Sequence, residues 1–153
     1  METNALYLIL NMASILPPLL LSFDSKVAYY RRWRYLFPAI LIVAAVFIAW
    51  DVWFTAMGVW GFNARYLTGL HLGNLPLEEC LFFITIPYSS VFIYDCFKAY
   101  FPGWKFPRMG IVLAWVLAAA MLVLGVLFID RWYTGLTFLL LAALLVVQAV
   151  RKP

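Results

Sequence analysis

The chain has 153 residues, of which 67% are hydrophobic and 12% charged, with a net charge of +4 and a mean hydropathy of +0.95. Soluble domains carry about 25% charged residues, so this composition excludes a soluble globule and predicts an integral membrane protein. The small positive excess is no footprint for nucleic acid; its distribution bears on topology instead.

Apolar runs close to the ~20 residues that cross a bilayer follow one another along the chain. The first covers about residues 5–23. No basic stretch precedes it, so it reads as a true span and not a cleaved signal. Pro17 and Pro18 within it should kink the helix and free the Ala13 carbonyl. A connection with Lys26, Arg31, Arg32 and Arg34 leads to a second span, about 36–55. This ends in an aromatic, glycine-containing segment, 53–62, and then a loop with Gly69 and Gly73. The third span, about 75–97, opens with Pro76 at the first helical position and contains Pro87, which should free the Phe83 carbonyl. A basic loop, 98–108, precedes a fourth span at about 109–129. A polar turn, Asp130-Arg131, leads to a fifth at about 132–150 and the terminal Arg151-Lys152-Pro153.

The expected fold is therefore all-α, a polytopic transmembrane helix bundle of about five spans. Nine of the eleven Lys and Arg residues fall on one side, with only Arg65 and Arg131 on the other. That bias predicts an outside N-terminus and a cytoplasmic C-terminus in the cell membrane. Tyr29, Tyr30, Trp33, Trp60, Tyr100, Trp104, Trp132 and Tyr133 lie near predicted span ends and read mostly as interfacial belt residues. Cys80 and Cys96 share one predicted helix about 24 Å apart, too far for a disulfide. With one histidine, His71, no His/Cys metal site is expected.

Asp51-Val52-Trp53-Phe54-Thr55 faintly echoes Asp130-Arg131-Trp132-Tyr133-Thr134, each at the outer end of a span. Span five echoes span one about equally well, and so short a match is weak support for duplication.

The seven acids can be weighed singly. Glu2, Asp24 and Asp130 sit in predicted ends or loops. Asp95 lies at the C-terminal end of span three, where the helix dipole disfavours it, so it should pair with Arg31, Arg32 or Arg34. Asp51, Glu78 and Glu79 all fall toward the outer ends of spans two and three. A charge at mid-bilayer costs about 2.5–3.5 kcal/mol and marks function by default; nearer the headgroups the same residues would be ordinary interfacial acids. On span three, Glu78, Thr85, Ser89, Phe92 and Cys96 form one stripe, expected to face other helices. Phe47, Trp50, Phe54, Phe82 and Phe83 lie within a turn or two of the acids. Each alone reads as packing; together they offer π faces to a cation. There is no dinucleotide fingerprint, no phosphate-binding loop, no Asp-rich diphosphate motif and no lysine inside a span. Proton chemistry in an apolar pocket without a cofactor is what remains.

Residues Leu75-Pro76-Leu77-Glu78-Glu79, then Phe82-Phe83, resemble the Pro-x-Glu-Glu motif of the membrane-embedded, non-flavin lycopene cyclase domain family, found as heterodimeric bacterial cyclases and in fungal fusion enzymes. Ile48-Ala49-Trp50-Asp51 and Gly58-Val59-Trp60-Gly61-Phe62-Asn63 fit it too, so the resemblance covers roughly residues 5–100. It implies an isomerase, an intramolecular lyase that turns the ψ ends of lycopene into β-ionone rings without net redox change. It assigns Glu78 or Glu79 as proton donor and Asp51 as the partner that returns or orients the proton. Trp50, Phe54, Phe82 and Phe83 would line the substrate, with Trp50 and Phe82 stabilising the cation. Burial and an adjacent like charge favour the neutral acid such a donor needs. Residues 1–108 would form a three-span cyclase-like repeat, and 109–153 two further spans that could begin a second. The family's active unit has two related copies, and this chain has one motif. A second copy, in cis or in trans, is therefore expected beside lycopene and membrane lipid as partners. The competing expectations are a membrane module that binds a carotenoid or a partner protein without turnover, and a small proton-coupled transporter.

Overall fold

The computed structural model describes residues 5–103 and 107–151, without the side chains of 107 and 108. The expectations for Glu2, Trp104, Lys105, Lys152 and the Arg108 side chain fall outside those residues. Five α-helices account for most of the chain: α1 (Leu6–Leu21), α2 (Trp33–Ala56), α3 (Leu77–Tyr100), α4 (Pro107–Leu127) and α5 (Trp132–Val150). Four of them, α2 to α5, are long and apolar enough to cross a membrane; α1 has 16 residues and is shorter. The chain separates into two compact units, Met1–Pro102 and Gly103–Pro153.

In the first unit, α3 packs against both α1 and α2. The seam with α1 is polar. The Asn11 amide donates to the carbonyls of Tyr7 and Glu78, both at 3.2 Å, and its oxygen accepts from the Thr85 hydroxyl at 2.6 Å. The Ser89 hydroxyl is shared between the Ser14 carbonyl of α1 and the Thr85 carbonyl of its own helix, each at 2.8 Å. The Ser14 carbonyl lies four residues before Pro18, which has no N–H to offer it. Helix α1 continues past both prolines to Leu21. Glu78, Thr85, Ser89 and Phe92 of the expected stripe are buried, and Cys96 is partly so.

An aromatic core lies nearer the other end of the unit. Tyr29, in the 3₁₀ turn Tyr29–Arg32, meets Tyr88 and Phe92 edge-on, each with centroids 5.3 Å apart. Such pairs add about 0.5–1.5 kcal/mol beyond burial. The Tyr29 hydroxyl donates to the Tyr88 carbonyl at 3.1 Å. The Tyr88 hydroxyl shares a 2.6 Å hydrogen bond with Ser22 and accepts from Trp33 Nε1 at 3.1 Å. Tyr29 is buried and Trp33 partly buried against this core, whereas Tyr30, Tyr100, Trp132 and Tyr133 are exposed. Arg32 supplies the cation for Asp95, with Nη1 2.8 Å from Oδ1. Between α1 and α2, the Asp24 carboxylate accepts the backbone N–H groups of Lys26 and Val27, at 2.8 and 3.2 Å. Those bonds, with a lesser one from the Tyr100 hydroxyl, hold the Asp24 carboxyl below its usual range.

Helix α3 starts two residues later than the apolar pattern suggests. Strand β1 (His71–Leu72) pairs antiparallel with β2 (Leu75–Pro76), His71 opposite Pro76 and Leu72 opposite Leu75. Gly73, with φ +66°, makes the turn between them. Pro76 is therefore the N-cap residue of α3, extended at φ −62° and ψ 145°, and not its first helical residue. The Asn74 amide donates to the Val52 carbonyl at 2.9 Å, tying this hairpin to the last turns of α2.

In the second unit, α4 and α5 pack on each other. Their buried positions are small: Ala114, Ala118 and Gly125 on α4, and Gly135, Ala142 and Ala149 on α5. A Cβ on Gly125 would lie 2.8 Å from the Leu139 side chain, and one on Gly135 would lie 2.9 Å from the Phe128 carbonyl oxygen. Small residues let apolar helices approach this closely where no hydrophobic effect drives them together.

Candidate functional site

The last turns of α2, the first turn of α3 and the hairpin between them bring the three expected carboxylates to one end of the first unit. Asp51 and Glu78 are 3% and 1% exposed, so both carboxylates are buried within the protein; Glu79 is half-buried. Pro76, by capping α3, puts Glu78 and Glu79 at its second and third residues, where the helix dipole favours negative charge.

Each carboxylate has its own donor. Asp51 Oδ1 accepts from Trp60 Nε1 at 2.6 Å, and the same indole N–H lies 3.1 Å from Thr55 Oγ1. Glu78 Oε1 accepts both the backbone N–H and the hydroxyl of Thr68, at 2.7 and 2.6 Å. Glu79 Oε2 accepts the Tyr7 hydroxyl at 2.5 Å. Among the described residues Asp51 Oδ2 and Glu78 Oε2 are buried without a hydrogen-bond partner, a costly arrangement for an ionised group. Asp51 also lies within charge–charge range of Glu79 and of Tyr7.

The aromatic residues divide into two groups. Trp50, Phe54 and Trp60 stack in series, with centroids 4.8 Å and then 5.1 Å apart. Gly58, at φ +70°, lets the chain turn back so that Trp60 reaches this stack. Phe83 stacks on Phe47 of α2 at 5.9 Å, and Phe82 lies 6.5 Å from the Tyr7 ring on α1. Trp50 and Phe54 thus belong to the Asp51 side, and Phe82 to the Glu79 side. Trp60, expected near a span end, is the donor to Asp51.

A shallow groove of about 320 Å³ lies beside Tyr7, between Leu6 and Leu10 of α1 and Gly61, Phe62 and Leu67 of the connection. Another, of about 280 Å³, is lined by Phe92, Cys96, Phe97 and Tyr100 at the far end of α3. Among the described residues no three His, Cys, Asp or Glu side chains are grouped to hold a metal ion, and Cys80 and Cys96 are free thiols.

Tyr7, Asn11 and Thr68 were not singled out in the sequence. Asn11 carried a usable signal, because an amide inside an apolar span requires a partner. Tyr7 reads as one more aromatic near a span end, and Thr68 as a loop residue.

A search of curated proteins and a search of solved structures both find no match. The family model for lycopene cyclase matches residues 4–97, a stretch that takes in α1, α2, nearly all of α3 and every acid and donor just described. The chain belongs to the lycopene cyclase family, whose members are carotenoid cyclases.

Proposed function

We propose that the chain is a membrane-embedded cyclase that converts the ψ ends of lycopene to β-ionone rings by redox-neutral, acid-catalysed isomerisation. The observation that carries this reading is the half-buried Glu79 held against Tyr7 within the segment that matches the family. Glu79 is the proton donor, favoured over Glu78 by its surroundings. The two Thr68 donors on Glu78 Oε1 suit a carboxylate that ties the connection to α3. Asp51, within charge–charge range of Glu79, orients or returns the proton. Trp50 and Phe54 on one side, and Phe82 and Phe83 on the other, offer π faces to the cation, worth up to about 2 kcal/mol when desolvated.

The four long apolar helices and the lipid-soluble substrate support a place in the cell membrane. The skew of Lys and Arg supports an outside N-terminus and a cytoplasmic C-terminus. The single Pro-x-Glu-Glu motif supports a requirement for a second cyclase-domain copy, in cis or in trans.

The test is expression in cells that accumulate lycopene, alone and with a second cyclase-domain chain, followed by pigment analysis. Conversion to cyclic carotenes, lost in Glu79→Gln at unchanged membrane abundance, is the expected result. Lycopene that is bound but unchanged in both settings would replace catalysis with carotenoid binding.

A further inference from the structure

We infer that Tyr7 is the group through which Glu79 hands its proton to the substrate, and that the groove beside it takes one linear end of lycopene, an assignment that rests on the cyclase reading above. Tyr7 serves two surfaces at once. It forms part of the groove wall, and its hydroxyl is 2.5 Å from Glu79 Oε2. With Glu79 protonated, the same contact lets the acid donate to the Tyr7 oxygen while the Tyr7 proton turns to the groove. A phenol both donates and accepts, so one contact serves a proton moving in either direction.

The placement of Tyr7 is built into the fold. Asn11, one turn along α1, binds the carbonyls of both Tyr7 and Glu78. It therefore locks the start of α1 in register with the glutamates. The groove, at about 320 Å³, is at the small end of ligand pockets, which span about 300–1,000 Å³. It has room for a chain end and not for a whole long polyene. Leu6 and Leu10 on its α1 side are exposed, so the remainder of an apolar chain can leave along that face of the helix.

The terminal alkene takes the Tyr7 hydroxyl proton, its π pair forming the new C–H bond, while the Tyr7 oxygen takes the proton of the Glu79 carboxylic acid. The resulting cation is attacked by the neighbouring alkene, which forms the ring C–C bond. A ring C–H then breaks, its electron pair restores a double bond, and its proton returns through Tyr7 to the Glu79 carboxylate. No electron is gained or lost, and the acid is regenerated. Phe82, whose ring centroid is 6.5 Å from that of Tyr7, offers a π face close to this path.

The experiment uses the full chain, with any second cyclase-domain chain it requires, in lycopene-containing membranes. Tyr7→Phe should lower kcat by about 10²–10⁴-fold, the range for general acid catalysis, with KM unchanged, in assays run well below a thermal midpoint that itself falls with the lost hydrogen bond to Glu79. Leu10→Trp, which fills the groove, should raise KM and leave kcat near that of the parent. A Tyr7→Phe enzyme that keeps its kcat under those conditions overturns the relay. Glu79→Gln in the same membranes separates the two readings: inert Glu79→Gln with active Tyr7→Phe sinks the relay alone, whereas active Glu79→Gln sinks Glu79 as proton donor. Binding is read on purified Glu79→Gln protein by the lycopene absorbance that co-purifies. Leu10→Trp should abolish that retention and Tyr7→Phe should preserve it; retention indifferent to Leu10→Trp overturns the groove assignment.

Discussion

Ser89 on α3 places its hydroxyl 2.8 Å from the Ser14 carbonyl on α1, the carbonyl that Pro18 cannot serve, and equally 2.8 Å from the Thr85 carbonyl of its own helix. The one proton is shared, so the gap that Pro18 leaves in α1 is met in part by a side chain of α3. Ser89→Ala should lower stability in detergent by about 0.6 kcal/mol and by no more than about 1.7, the span measured for interhelical hydrogen bonds in membranes. Pro18→Ala returns an N–H to Ser14, so Ser89→Ala should cost less in that background. Equal costs in the two backgrounds, measured by unfolding in detergent, would show that the bond does not serve this purpose.

Trp60 gives Asp51 its indole N–H while stacking on Phe54. Trp60→Phe keeps a ring for the stack and removes the donor. A hydrogen bond to a charged group contributes about 1.5–3 kcal/mol, so a loss of that size is expected in thermal or denaturant unfolding. Asp51→Asn together with Trp60→Phe should recover part of it, because the charge has gone. An unchanged midpoint in Trp60→Phe would place the weight of this contact elsewhere.

Asp95 is 5% exposed and is ion-paired with the half-exposed side chain of Arg32. Removing a partner from a buried pair costs about 3–5 kcal/mol, and breaking an exposed one about 1 or less. Arg32→Ala should fall between these limits, since water reaches the guanidinium but not the carboxylate. Asp95→Asn should cost less, and the double variant less than Arg32→Ala alone. A double-mutant cycle in unfolding free energy checks all three.

Asp24 gives the connection between α1 and α2 a defined pH response. Its carboxyl is held below the usual Asp value by the Lys26 and Val27 backbone N–H groups. A group lowered on folding contributes stability above its unfolded pKa, about 3.9, and that contribution disappears as pH falls through the lower folded value. The connection should therefore stay closed at neutral pH and loosen only in strong acid. Asp24→Asn should flatten that response, as read by cleavage of the connection by an acid-active protease.

The five helices, the acids at one end and a cation for Asp95 were legible because long apolar runs and isolated charges within them are strong signals, although α1 is shorter than its apolar run suggests. Span five matches α5 at both ends, since Asp130-Arg131 and Arg151 bracket it plainly. The hairpin before α3 was not legible: two-residue strands are too short for alternation to register, so Pro76 was placed one position inside the helix. An aromatic near a span end says nothing about which side of the helix it occupies, so the inward contacts of Tyr29, Trp33 and Trp60 are not legible from position alone. Tyr7 was missed for the same reason, although it carries the shortest contact to any of the three site acids. Asn11 is the different case, a lone amide in an apolar span whose partners on α3 could have been sought.

The contacts of Gly125 and Gly135 have a consequence for biogenesis. With Leu139 and the Phe128 carbonyl where any side chain on those glycines would have to go, α4 and α5 form a helical hairpin closed by their own residues. Such a pair can close on itself as soon as α5 has been synthesised.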